Sequence, residues 1–230
     1  MVAKESSEGV LRVLRTKEQA KDSYDKLSKF YDFLAGPFEG KYRGRALERL
    51  NIKKGEVVLE IGFGTGHCLE EIAKRVGEEG KAYGIDLSSG MLEITKKKLK
   101  KASLLEKVEL QCGDAAKLPY EEKKFDAVFM SFTLELFDTP EMPKVLNEIK
   151  RVLKPNGRLG VVSMSKENGK SKLLGLYEWA HKKFPKYVDC RPIYAEQSIK
   201  NVGFEIKHKE KIKLVGLSLG EVVVGINRFK

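Results

Sequence analysis

Ten residues, Val57-Val58-Leu59-Glu60-Ile61-Gly62-Phe63-Gly64-Thr65-Gly66, commit the chain to a buried strand that runs into a tight glycine turn. Val57–Ile61 is a short apolar run broken only by Glu60, as expected of a strand covered on both faces. Glycines at positions 62, 64 and 66 permit the turn and let backbone approach a ligand with no Cβ in the way. The helix that follows would present free N–H groups to an anion or carboxylate at the same place. A dinucleotide-binding turn carries the spacing G-x-G-x-x-G. Here the third glycine comes one residue early and His67 follows it, which separates this turn from that fingerprint.

Strands and helices alternate beyond the turn. Ala82–Ile85, Val108–Gln111, Phe125–Met130 and Arg158–Ser163 read as further strands. Helices over about Gly66–Val76, Ser89–Lys101 and Glu141–Leu153 lie among them, the last with Pro140 near its start, where helices tolerate proline. Pro155-Asn156-Gly157 reads as a turn into the fifth strand. Upstream, Ala20, Tyr24, Leu27, Phe30, Tyr31 and Leu34 recur at helical spacing, predicting an amphipathic helix from Lys17 to Ala35. Gly36-Pro37 ends it, and a second helix is expected from about Lys41 to Leu50. After Ser163, helices are expected over Lys170–Lys183 and Tyr194–Asn201, then two closing β segments near Phe204–Leu214 and Glu221–Ile226. Alternation of this kind builds a mostly parallel sheet with helices on both faces, and the closing pair adds an antiparallel element. The 230 residues suit one domain: a helical cap over 1–50, a ligand-binding core over 51–165, and a second-substrate side over 166–230.

Two carboxylates extend the constellation. Asp86 directly follows the second strand, where it can accept both hydroxyls of a ribose. Asp114, after the third strand, can accept from an adenine amino group while Leu87 and Ala115 pack on the ring faces. Each also has a bland reading, Asp86 as a helix cap together with Ser88 and Asp114 as a turn residue. Coincidence at the tips of three successive strands favours a common ligand.

Charge and cysteine content narrow the partners. The net charge of +11 could attract nucleic acid or anionic lipid, but lysines such as 96–98, 100 and 101 follow an amphipathic run and read as a solvated helix face. Cys68, Cys112 and Cys190 are scattered, which argues against a disulfide framework or a zinc site and favours small buried hydrophobes; no metal is expected. No apolar run reaches the roughly 20 residues of a membrane span and no signal-peptide core is visible, so a cytoplasmic protein is expected.

These motifs resemble those of the class I S-adenosylmethionine-dependent methyltransferases from about Asp22 onward. Glu60–Gly66 resembles the first motif, Asp86 the ribose acid and Gly113-Asp114-Ala115 the adenine-side motif. Phe125–Ser131 is similar to the fourth-strand motif, and Leu153–Leu159 to the turn before strand five. The resemblance implies a Rossmann-like three-layer α/β/α sandwich with extra N-terminal helices. Its seven-stranded sheet would have the order 3-2-1-4-5-7-6, with strand seven antiparallel. It implies S-adenosylmethionine as cofactor, held by Tyr24, Glu60, Gly62, Phe63, Gly64, Gly66, Asp86, Leu87, Gly113, Asp114, Ala115 and Ser131. Within the family, Tyr24-Asp25 and Ser131-Phe132-Thr133-Leu134 are similar to segments of the ubiquinone and menaquinone biosynthesis methyltransferases. Glu135-Leu136 departs from them, standing where that group carries Arg-Asn. Arg191-Pro192-Ile193-Tyr194 and Gly203-Phe204 fit a broader set that includes phospholipid N-methyltransferases.

The acceptor implied is a small molecule or lipid-like compound, a quinone precursor among the candidates. An RNA methyltransferase and a nicotinamide-dependent oxidoreductase are the rivals. The segment after the fourth strand lacks the Asn/Asp-Pro-Pro-Tyr tetrad of nucleic-acid enzymes, and the glycine spacing opposes the oxidoreductase. No catalytic base is assigned. Tyr24 is expected to close over the methionine part of the cofactor, with core packing as the alternative, and Tyr31 to share its helix face. His67 lies on the cofactor side rather than at the acceptor, and His181 and His208 read as surface residues. Glu135 is expected at a solvent-exposed loop start, with an acceptor-facing carboxylate as the alternative. Leu173–Phe184 is an amphipathic candidate to cover the acceptor or touch a membrane.

Overall fold

A computed structural model describes residues 9–13, 15–27, 36–168, 190–214 and 217–228. The parts of the expected Lys17–Ala35 and Lys170–Lys183 helices beyond these ranges, with Tyr31, His181 and Leu173–Phe184, lie outside the described residues. The helices are α1 (Lys17–Leu27), α2 (Gly36–Leu50), α3 (His67–Val76), α4 (Ser89–Lys101), α5 (Met142–Val152) and α6 (Ala195–Asn201). The strands are β1 (Val57–Ile61), β2 (Lys81–Asp86), β3 (Val108–Cys112), β4 (Phe125–Ser131), β5 (Leu153–Met164), β6 (Glu205–Leu214) and β7 (Leu217–Ile226).

The strands form one sheet in the order β3-β2-β1-β4-β5-β7-β6. β1 to β5 run parallel, and β7 lies antiparallel between β5 and β6. The expected order and the antiparallel seventh strand are both present. In the central strand β4, Ala127, Val128, Phe129 and Met130 are all buried, as a strand covered on both faces requires. One covering layer packs Leu47, Leu50, Leu69, Ile72, Val76 and Leu99 against Val58 and Phe129. The other packs Leu146, Ile149 and Ile199 against Leu59, Val128 and Val223.

Local chemistry sets the helix ends that face the site. Gly66, with φ 78, leads into α3, whose buried side is Cys68, Leu69, Ile72, Ala73 and Val76. Gly77, with φ 71, stops it. Ser88 caps α4, its Oγ accepting from the Met91 amide at 3.1 Å, and Lys98, Lys100 and Lys101 complement the helix dipole at the far end.

Several expectations need correction. α2 begins at Gly36 rather than near Lys41, because proline in a first helical turn loses no intrahelical bond; Gly36-Pro37 opens a helix. β5 begins at Leu153, and Pro155-Asn156-Gly157 is an irregularity within it. There Asn156 takes φ 63 while exchanging backbone bonds with Asn227: its amide donates to the Asn227 carbonyl, and the Asn227 amide donates to that of Gly157. Glu135 is fully buried instead of solvent-exposed, within a short 3-10 turn over Leu134–Leu136. Of the cysteines only Cys68 is buried; Cys112 is exposed and Cys190 half-buried. His208 is half-buried, 3.5 Å from Glu210.

Candidate functional site

The tips of β1, β2, β3 and β4 open into one cleft, and α1 with the segment before it crosses the mouth. Gly62 (φ 70) and Gly64 (φ 52) form the turn after β1. A Cβ on Gly62 would overlap the Thr133 side chain, and one on Gly66 would overlap Thr95, whereas one on Gly64 would meet nothing within 4 Å. Gly64 thus leaves an open backbone face where a ligand can lie close. The turn is braced from α4, where Thr95 Oγ1 donates to the Gly64 carbonyl at 2.9 Å.

Asp86 ends β2 with each carboxylate oxygen accepting one backbone N–H, Oδ2 from Gly64 and Oδ1 from Ser88, both at 2.9 Å. Burial raises its pKa despite those bonds. Glu60 is 2% exposed. Burial holds its carboxyl well above the ordinary range, against the charge of Arg43 and with the nearby charge of Asp86. Its Oε2 is buried with no hydrogen-bond partner among the described residues. At the β3 tip, Asp114 Oδ1 accepts from the Ala116 amide at 2.9 Å and Oδ2 from Lys17 Nζ at 2.6 Å. Lys17 also reaches Glu141 at 2.6 Å.

Beyond β4, Phe132 has φ 51, a left-handed conformation that costs a bulky residue about 1–2 kcal/mol. The strain presents its ring to the cleft beside Ser131, Thr133, Leu136 and Phe137. Ser131 Oγ is a buried hydroxyl without a partner among the described residues. Across the opening, Arg12 clasps Asp138 with Nε at 2.8 Å and Nη2 at 2.6 Å, and the Val13 amide donates to the same carboxylate at 3.0 Å. The fully buried Arg191 donates to the carbonyls of Leu11 at 2.7 Å and Phe137 at 2.5 Å. Burial lowers its pKa to about 10. The Arg15 guanidinium lies 5.3 Å from the centre of the Tyr24 ring.

Of the residues singled out in the sequence, Tyr24, Gly62, Gly64, Asp86, Leu87, Gly113, Asp114, Ala115 and Ser131 line this cleft together. Glu60, Phe63 and Gly66 do not. Glu60 lies beneath the turn, Phe63 packs into the core against Gly84, and Gly66 faces Thr95. His67 is exposed and does not line the cleft. Sequence reasoning missed Val13, Arg15, Lys17 and Glu141, which lie far from the glycine turn along the chain. A lysine at the first turn of a helix predicted to carry Tyr24 was the one available signal.

The donor set fits an adenosyl amino acid. An open glycine face suits a close-lying chain, and the acids at the β2 and β3 tips suit ribose hydroxyls and an adenine amine.

Comparison with known proteins agrees with this chemistry. Residues 58–157 match the family model described as a methyltransferase domain. A demethylmenaquinone methyltransferase of Lactobacillus johnsonii is 35% identical over 146 residues, 64% of this chain. That match spans 59% of the relative, under two thirds of its length. One from Symbiobacterium thermophilum is 28% identical over 91% of this chain and 92% of the relative. In fold, the chain is similar to the crystal structure of a SAM-dependent methyltransferase from Aquifex aeolicus. That likeness has a TM-score of 0.64 and 24% identity, and it covers 90% of this chain and 97% of that one. The chain thus carries a methyltransferase domain over residues 58–157, and in strand order and along most of its length it is similar to S-adenosylmethionine-dependent methyltransferases, whose cofactor its cleft fits.

Proposed function

We propose that the chain methylates a small, ring-bearing, lipid-like acceptor, with a demethylmenaquinol-type quinol as the first candidate. The observation that carries this reading is the near full-length likeness to a demethylmenaquinone methyltransferase. The apolar lining beyond β4, made by Phe132, Leu136 and Phe137, also supports it. Glu135-Leu136, standing where the quinone group carries Arg-Asn, counts against a quinone acceptor, which is why the assay below includes other acceptors.

In this reading the glycine turn carries the methionine part of the cofactor, and Glu60 backs that turn from beneath. Asp86 accepts from the ribose hydroxyls, and Asp114 accepts from the adenine amine. Leu87, Ala115 and Phe63 supply apolar walls or backing, Ser131 offers its hydroxyl, and Tyr24 closes over the methionine end. When bound, the sulfonium supplies the methyl group and keeps the bonding pair of the broken carbon–sulfur bond. The protein's own work is to line up the acceptor behind that methyl and keep water out. Such positioning supplies about 7–11 kcal/mol of a barrier of this kind. For transfer to a quinol ring carbon, the new carbon–methyl bond forms as the carbon–sulfur bond breaks, and the ring carbon's own proton then leaves to solvent as aromaticity is restored. Asp138 makes a poor base, because Arg12 holds its carboxyl below the usual range. The division into a cap over 1–50, a cofactor core over 51–165 and an acceptor side over 166–230 belongs to the same proposal. Among the described residues no helix is long and apolar enough to cross a membrane.

The test supplies purified protein and methyl-labelled S-adenosylmethionine with a demethylated menaquinol, phospholipid vesicles or total RNA. Label in the quinol is expected. Label in phospholipid or RNA instead overturns the acceptor assignment.

A further inference from the structure

Helix α1 does more than cover the cleft. Lys17, Ala20 and Tyr24 line it, while Asp25 turns toward the loop between β2 and α4. Asp25 Oδ1 accepts from Ser88 Oγ at 2.5 Å and from the Gly90 amide at 2.8 Å, and Oδ2 accepts from Lys21 Nζ at 2.6 Å. Ser88 is fully buried, and its own amide donates to Asp86 Oδ1 at 2.9 Å. Asp86 Oδ2 in turn holds the Gly64 amide at 2.9 Å. One continuous relay therefore runs from α1 through Ser88 and Asp86 to the glycine turn. The carboxylate that would grip the ribose is fixed at its centre.

We propose that Asp25 is a positioning residue for the cofactor's ribose: acting through Ser88, it sets the loop that aims Asp86. The proposal rests on the adenosyl-binding reading above. A helix N-terminus with an ordinary serine cap needs no second carboxylate. Here Oδ1 of Asp25 engages both the cap hydroxyl and an amide of the first turn, and it does so from an element 63 residues upstream. The ribose loop is thereby tied to α1, which Lys17 also anchors to Asp114 and Glu141 independently of Asp25. A cofactor that needs Asp86 in place also holds α1 down.

Titration calorimetry of the full chain with S-adenosylhomocysteine and with its 2′,3′-dideoxy analogue separates the possibilities. For Asp25→Asn, affinity for S-adenosylhomocysteine is expected to fall about tenfold or more, the usual size for a hydrogen bond to a charged group. Affinity for the dideoxy analogue is expected to change by less than about twofold, because that ligand asks nothing of Asp86. Ser88→Ala should reproduce the loss, the double variant should be no weaker than either single one, and Asp25→Glu should recover part of it. Equal losses for both ligands, or additive losses in the double variant, would reduce Asp25 to a general prop for α1 and overturn the proposal. Wild-type chain that binds neither ligand would sink the adenosyl reading itself. Binding of both with an indifferent Asp25→Asn would sink only this inference.

Discussion

Glu60 and Asp86, below and beside the glycine turn, are buried and half-buried, and Glu135 and Arg191, on the far side of β4, are fully buried, but their surroundings differ. Around Arg191 the charge is spent inside the protein, on the carbonyls of Leu11 and Phe137 and toward Asp138 and Glu135. Glu135 Oε1 likewise accepts from the Met164 amide at 3.0 Å. Unmatched atoms do not separate the regions, because Arg191 Nε is buried without a hydrogen-bond partner among the described residues just as Glu60 Oε2 is; position does, since Asp86 borders the cleft while Glu135 and Arg191 do not. In the first region the charge at Asp86 is placed to meet a ligand. In the second it staples the N-terminal segment and the loop after β4 to the body of the fold. An ionisable group's burial alone does not tell these apart; its place relative to the open cleft does.

The largest effect should come from the stapling region. Arg191→Met leaves buried carbonyls unmet and an acid without its cation, and should cost about 3 kcal/mol or more in urea unfolding. Asp86→Asn should invert the pattern. S-adenosylhomocysteine affinity is expected to fall about 100-fold in calorimetry, while unfolding free energy changes by less than about 1 kcal/mol. A variant at Asp86 that lost stability rather than affinity would erase the distinction between the regions.

Glu221 sharpens the contrast through pH. Its side chain is buried on β7, where Oε1 accepts from the Ala195 amide at 3.3 Å and Oε2 lies 3.8 Å from Lys209 Nζ. Burial pushes its pKa from 4.5 up to about 7. Between those values the folded chain keeps a proton that the unfolded chain has released, so this group's stabilisation is full below 4.5 and drains away by about 7. Thermal melts at several pH values should show that slope, up to about 3 kcal/mol in all, and Glu221→Gln should flatten it. The smallest effect belongs to the surface. Glu93→Gln breaks only an exposed pair with Lys96 at 3.3 Å and should shift unfolding by less than about 0.5 kcal/mol.

The cofactor end was legible because its determinants are local. The glycine turn and both strand-tip acids each sit within a few residues of the strand that positions them, and the alternation of elements gave the sheet. Glu135 was misplaced because the turn that carries it is bonded to a strand 29 positions away. The Arg12–Asp138 and Arg191–Leu11 clasps span 126 and 180 positions, where no periodicity reaches. Asp25 was visible as half of a Tyr-Asp pair, but its bonds to Ser88 and Gly90 depend on α1 folding back over the sheet.

The seat of β7 also bears on how the chain assembles. β6 and β7 pair along their lengths from Glu205 opposite Ile226 to Leu214 opposite Leu217, so they can zip up as a hairpin from nearby contacts. That hairpin must then dock with β7 inward, along Arg158–Met164 of β5. During synthesis the first five strands emerge beforehand, and until the hairpin arrives β5 is a bare, apolar margin open to foreign strands. Hairpin docking is therefore the step that closes this margin of the sheet.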